Sequence, residues 1–348
     1  MQNSDSFSKI TAPLIIGVKG HCDLRDKDIE PLRKKVSEVL EELKSRVPST
    51  NFLVLSALAE GADRLVARVA LEFGARLIAP LPMPIAQYVQ DFKTQESRDE
   101  FDSLLRRAEY SFVLSSLTAC SGEQRIENSR NLQYERLGKF IVAECQILIA
   151  LWDGYETGLT GGTGEAVRFQ IEGVPLDDSF DIDPPECFPV YQIVAPRESS
   201  HPAAVPFSLN IIYPKAFGDD VTYAKKYYDD MFKRLDDFNN QVQYPDAELL
   251  AEVADSRRFL FNEEEEEAQL HPWQKITFQR YAFADALARR FQARMVQTQR
   301  RLHGFVFASF MFFCLLCSFS LANRKFKLLV FFVHSVPRDR DCFMVSGS

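Results

Sequence analysis

The chain has 348 residues, 46% of them hydrophobic and 26% charged, and a formal net charge of −8. That length allows two or three domains with a sizeable core, while the acidic balance argues against a general nucleic-acid-binding surface, which needs a basic excess. The seven cysteines are scattered, and the one CxxC pair, Cys314 and Cys317, lies in an apolar run without nearby histidine or acidic partners, so no metal site is expected.

The leader before Pro13 is polar and lacks the apolar core of a secretory signal, so the front of the chain is expected in the cytoplasm with its thiols reduced. "PLIIGV" (13–18) is a short apolar run that stops at Gly20, as a buried strand does. Ile29, Leu32, Val36, Val39, Leu40 and Leu43 then recur at helical spacing with charges between them. "FLVLS" (52–56) is a second strand, and Gly61 leads into a helix carrying Leu65, Val66, Val69, Ala70 and Phe73. Gly74 ends that helix, and "RLIAPLP" (76–82) is a third strand with prolines at its exit. A charged helical region over 85–107 follows, then "YSFVLSS" (110–116) as a strand and a helix over 131–145. "ILIALW" (147–152) is another buried strand, after which five of the chain's 15 glycines fall between Gly154 and Gly164. A helix from about Gly164 and a strand in "PVYQIVA" (189–195) complete the alternation.

From about Phe217 to Gln299 the chain is charged and helical. Tyr223, Tyr227, Met231, Leu235 and Phe238 share one helical face and read as a packing stripe. Consecutive carboxylates point in different directions on a helix, so Glu263–Glu267 read as solvated surface. Arg289, Arg290, Arg294, Arg300 and Arg301 precede Gly304–Ala322, about 19 residues without a charge and the length of a bilayer-spanning helix. Fewer basic residues follow it (Arg324, Lys325, Lys327), which places the large front portion inside by the positive-inside rule. A second apolar piece, Leu328–Val336, is too short to span alone.

Strands that are near-continuous apolar runs, alternating with crossover helices, imply a mostly parallel sheet covered on both faces. The expected fold is therefore α/β: a doubly wound, Rossmann-like sheet over residues 10–215. A helical connector over 216–303, a transmembrane segment over 304–336 and an unstructured tail over 337–348 are expected to follow. The expected location is the inner or plasma membrane, with the N-terminal domain cytoplasmic.

In such sheets ligands bind beyond the carboxyl ends of the strands. Three strand-to-helix loops there are rich in small or polar residues. "GVKGHCDLRD" carries Gly17, Gly20, His21 and Asp23; "SALAEGADR" carries Ser56, Gly61 and Asp63; the third runs from Asp153 and Gly154 to Gly161, Gly162, Thr163, Gly164 and Glu165. Glycines at a helix start let backbone N–H groups approach an anion that the helix dipole also favours.

"SALAEGADRLVARVALEFGARLIAPLP" resembles the "SGxAxGID" run of DNA-processing protein A, with Ser56, Gly61, Asp63 and Gly74 in matching places. "ALWDG…GGTGEAV" resembles the "PGGxGTxxE" loop of the LOG phosphoribohydrolases through Gly161, Gly162, Thr163 and Glu165. Over roughly residues 12–195 the chain thus resembles the SLOG superfamily. The resemblance implies a nucleotide or nucleotide-derived ligand, no certain cofactor, and a membrane-linked sensor of the kind used in bacterial defence or stress signalling. A homo-oligomer is expected. The alternative is an N-glycosidic hydrolase acting on nucleotides, with Glu165 and then Asp23 as catalytic carboxylates and Arg25 or Arg64 as phosphate anchor. In the LOG pattern the glutamate stands further past the GT pair than Glu165 does. Single-stranded DNA handling is disfavoured by the acidic balance.

Overall fold

Leu14–Gly20 forms β1, and the other apolar runs form β2 (Phe52–Leu55), β3 (Arg76–Leu81), β5 (Ile147–Leu151) and β6 (Val190–Ile193) in the computed structural model. It describes residues 10–114, 123–155, 158, 160–174, 186–197, 205–260 and 270–322. Tyr110–Val113 forms β4 and Leu209–Ile212 forms β7. Among the described residues these strands make one sheet in the order β4-β3-β2-β1-β5-β6-β7, parallel except where β7 pairs antiparallel with β6.

Alternation along β1 explains why both faces are covered. Leu14, Ile16 and Val18 enter one core with α1 (Ile29–Arg46), α2 (Ala62–Glu72) and α3 (Gln95–Arg107). The opposite face is filled by Leu137, Ile141 and Val142 of α4 (Glu123–Glu144) and by Ala166, Val167 and Phe169 of α5 (Thr163–Glu172). The chain winds outward from β1 to β4, then returns to β5 on the other side of β1. The order of winding therefore reverses between β1 and β5, where doubly wound sheets open a crevice.

Some boundaries differ from the periodicity. The region over 85–107 is broken: a short turn of helix at Ile85–Tyr88 is followed by α3, whose start is fixed by Thr94 accepting a bond from the Ser97 N–H at 3.1 Å. α4 begins at Glu123, earlier than the expected 131, where the mostly polar first turns give no apolar period to read.

The chain divides into two compact units. The first comprises residues 1–246 and 272–280, and the second 247–271 and 281–348. α6 (Val221–Gln243) lies in the first unit and buries Ala224, Tyr228 and Phe232. In the second, α7 (Ala247–Leu260) pairs with the later part of α8 (Pro272–Ala322). There Ser256 Oγ donates to Asp285 Oδ2 at 2.7 Å, and Arg290 Nε meets Glu252 Oε2 at 2.6 Å.

The expected transmembrane helix requires correction. Among the described residues no helix is long and apolar enough to cross a membrane. The run from Gly304 is the end of the long, arginine-bearing α8 and not a separate helix. The membrane location inferred from the span falls with it. Glu263–Glu267, Leu328–Val336 and the tail 337–348 lie outside the described residues.

Candidate functional site

β1 and β5 end level with one another, Gly20 opposite Leu151. His21 leaves β1 with its N–H donating to Leu151 O at 3.1 Å, and its own carbonyl accepts from the Ala62 N–H at 3.0 Å. That second bond satisfies one of the orphan donors at the start of α2. Gly61 makes it possible: its φ is +74°, and a Cβ there would lie 2.5 Å from the His21 carbonyl oxygen. Ser56 Oγ ties the same loop together, donating to Asp63 O at 3.1 Å and accepting from Leu58 N at 3.2 Å. In the third loop Glu165, in the first turn of α5, reaches back so that Oε2 accepts from the Gly161 N–H at 2.7 Å. The bond holds Gly161, the residue before the N-cap Gly162, against the first turn of α5.

The three loops surround a cavity of about 280 Å³, near the lower end of small-molecule sites. Gly20, His21, Asp23, Asp63 and the backbone of Gly161–Gly164 line it. Lys19, Tyr134, Trp152, Tyr155 and Arg197, none of them singled out in the sequence, line it too. Lys19 is only 7% exposed. Among the described residues no carboxylate lies within 4 Å of its ammonium, although it attracts the Asp63 carboxylate from a greater distance. A cation lining a small cavity favours an incoming anion. Asp63 is also buried, and burial pushes its carboxyl up to about 6, against the pull of Lys19, the Ala59 N–H and Arg64. Cys22 reaches solvent at the mouth of the cavity, yet the surrounding protein and the Asp63 carboxylate push its thiol up to about 11, so it stays protonated.

On the β5 side, His21 Nε2 lies 3.1 Å from the Asp153 backbone N. Burial and the Arg197 guanidinium hold the imidazole below its ordinary pKa, outweighing the attraction of Asp153. Asp153 itself is fully buried, with Oδ1 3.2 Å from His21 Nε2 and Oδ2 3.3 Å from Arg197 Nε. Trp152 Nε1 donates to Tyr155 O at 3.1 Å, and Tyr155 N to Asp153 Oδ1 at 3.1 Å, so the loop after β5 folds on its own polar groups.

The remaining expected site residues do not line the cavity. Gly17 lies under α4, where a Cβ would sit 2.7 Å from Cys145 Sγ, so its role is helix packing. Gly154 faces Gln192. Glu165 is committed to the Gly161 N–H. Neither suggested phosphate anchor is placed for the task. Arg25 pairs with Asp28, and buried Arg64 donates to Leu58 O at 2.9 Å and Ser97 O at 2.8 Å while stacking over Phe92. Lys19 was readable as a charge at the end of an otherwise apolar strand. Arg197 and Tyr134 had no local signal, because only the topology brings them to β1.

No family model matches the chain, and no curated protein matches it. Among solved structures it is similar to DNA processing protein A from Streptococcus pneumoniae, at 17% identity and a TM-score of 0.26, over 41% of this chain and 42% of that one. The match thus spans less than half of that protein's length, and a likeness at this score carries no argument about activity.

Proposed function

We propose that the first unit binds a nucleotide or nucleotide-derived anion in the cavity between β1 and β5. The phosphate sits at the start of α5, against the backbone of Gly162–Gly164 and the Lys19 ammonium, with the base toward Trp152 and Tyr155. The observation that carries this is Lys19: a largely buried side chain whose ammonium has no carboxylate within 4 Å among the described residues and lines the cavity with a helix start whose N–H groups favour negative charge. The aromatic rings of Trp152 and Tyr155 among the lining residues suit a planar base.

Titration calorimetry of the full chain with AMP, GMP, CMP, UMP and NAD tests the reading. Binding of at least one is expected, and Lys19→Met weakens it about tenfold or more, the worth of a charge-assisted contact. A folded chain that binds none of the five at millimolar ligand overturns the reading. So does Lys19→Met binding as tightly as the wild type.

A further inference from the structure

Asp153 presents a puzzle of placement. It follows β5 at the sheet edge where ligands sit, yet its carboxylate is completely buried and absent from the cavity wall. What it touches is informative. Oδ1 lies against His21 of the loop after β1, and Oδ2 lies 3.3 Å from Nε of Arg197, which follows β6. Both of those residues do line the cavity. Arg197 is held a second time by its backbone, which bridges antiparallel to Leu24. One buried carboxylate thus sits behind two cavity residues from two different loops. The Nε–Oδ2 contact is an ion pair at 3.3 Å without hydrogen-bond alignment, so charge attraction is what draws the guanidinium to Asp153, and a guanidinium kept at the cavity suits bidentate recognition of an oxyanion.

We propose that Asp153 is a positioning residue: it holds Arg197 in the cavity as a second contact for the anionic ligand, in addition to Lys19. The inference rests on the nucleotide reading above and adds to it a second anion contact and the residue that aims it. Asp153 does not meet the ligand itself; it acts through Arg197. His21 is the other group it faces, and the charged groups around that imidazole are Asp153, Arg197 and Asp23.

A double-mutant cycle on the full chain, with the same five nucleotides, tests this. Asp153→Asn and Arg197→Ala each weaken binding about tenfold, and combining them costs no more than Arg197→Ala alone, because the first substitution works through the second residue. Arg197→Lys keeps the charge but loses the planar fork, and it falls toward Arg197→Ala; near-wild-type binding by Arg197→Lys overturns the proposal. It also keeps the test open if Asp153→Asn does not fold. Losses that simply add overturn the proposal, as do single variants that bind normally. In the free protein, the ¹⁵N signal of His21 supplies a readout that general loosening does not move in two directions. Its titration midpoint rises in Arg197→Ala and falls in Asp153→Asn; an unchanged midpoint in both counts against the shared arrangement. A wild-type chain that binds no nucleotide overturns the nucleotide reading and this inference together. Binding that is indifferent to Asp153 and Arg197 overturns the inference alone.

Discussion

Asp63 is the residue whose ionisation the fold works against. It stands in the first turn of α2, where the helix dipole and the Ala59 N–H favour a carboxylate, and burial still wins. The native state therefore holds its proton up to about pH 6, whereas the unfolded chain releases it near the ordinary 3.8. Between those two values the native state binds more protons, so stability falls as pH rises through the window and the full cost persists above it. The size of that cost is about 3 kcal/mol. Asp63→Asn removes the ionisation. Its stability relative to the wild type should therefore grow by about that amount from pH 4 to pH 7, as read by urea unfolding. A difference that stays constant across that range would refute the burial account. Glu165 illustrates the opposite case. A first-turn carboxylate was plain in the sequence, but whether it faced a ligand or its own backbone depended on how the glycines before it turned.

At the scale of elements, β1, β2, β3, β5 and β6 were legible because strands buried on both faces are continuous apolar runs cut off by Gly or Pro. β7 was not: it is four residues at an antiparallel edge, only partly buried, with Asn210 breaking its apolar run. The cavity was half legible. Loops after β1, β2 and β5 could be read from their glycines, whereas Arg197 and Tyr134 arrive from elements whose local sequence holds no hint of the site. A glycine shows that something approaches closely, not what does. Gly17 was read as a ligand contact, and the space beside it is occupied by Ile141 and Cys145 of the helix and the turn after it. Gly17→Ala should consequently destabilise the chain by about 1–3 kcal/mol through overpacking, with nucleotide affinity unchanged. Adding Cys145→Ala should recover part of the loss, since it removes the sulfur that a Cβ would strike. Thermal and urea unfolding of the single and double variants would check this, and a double variant no more stable than Gly17→Ala would place the strain elsewhere.

For the molecule as a whole, the open question is where the sheet unit ends. Alternation of strands and helices stops near residue 215, which made that the expected boundary. The contacts of α6 extend the unit beyond it. Asn239 is completely buried, and its side-chain amide brackets the peptide before β1, accepting from Ala12 N at 2.8 Å and donating to Ala12 O at 2.8 Å. It also donates to Thr50 Oγ1 at 2.9 Å, while Asp236 accepts from Ser49 N at 2.7 Å and from Thr50 Oγ1 at 2.8 Å. These bonds lie at the amino ends of β1 and β2, the sheet edge opposite the cavity. They join two chain ends that would otherwise carry unsatisfied buried groups, each costing about 1–3 kcal/mol. Tyr228 and Phe232 add apolar burial of about 1.5–3 kcal/mol apiece. Together these terms are comparable to the whole net stability of a typical domain, about 5–15 kcal/mol. A chain ended at 215 should show no cooperative unfolding by circular dichroism, and one extended to 246 should restore it. Asn239→Ala in the full chain should cost about 2 kcal/mol or more. An equally cooperative and equally stable 10–215 fragment would mean that α6 rests on the sheet without holding it.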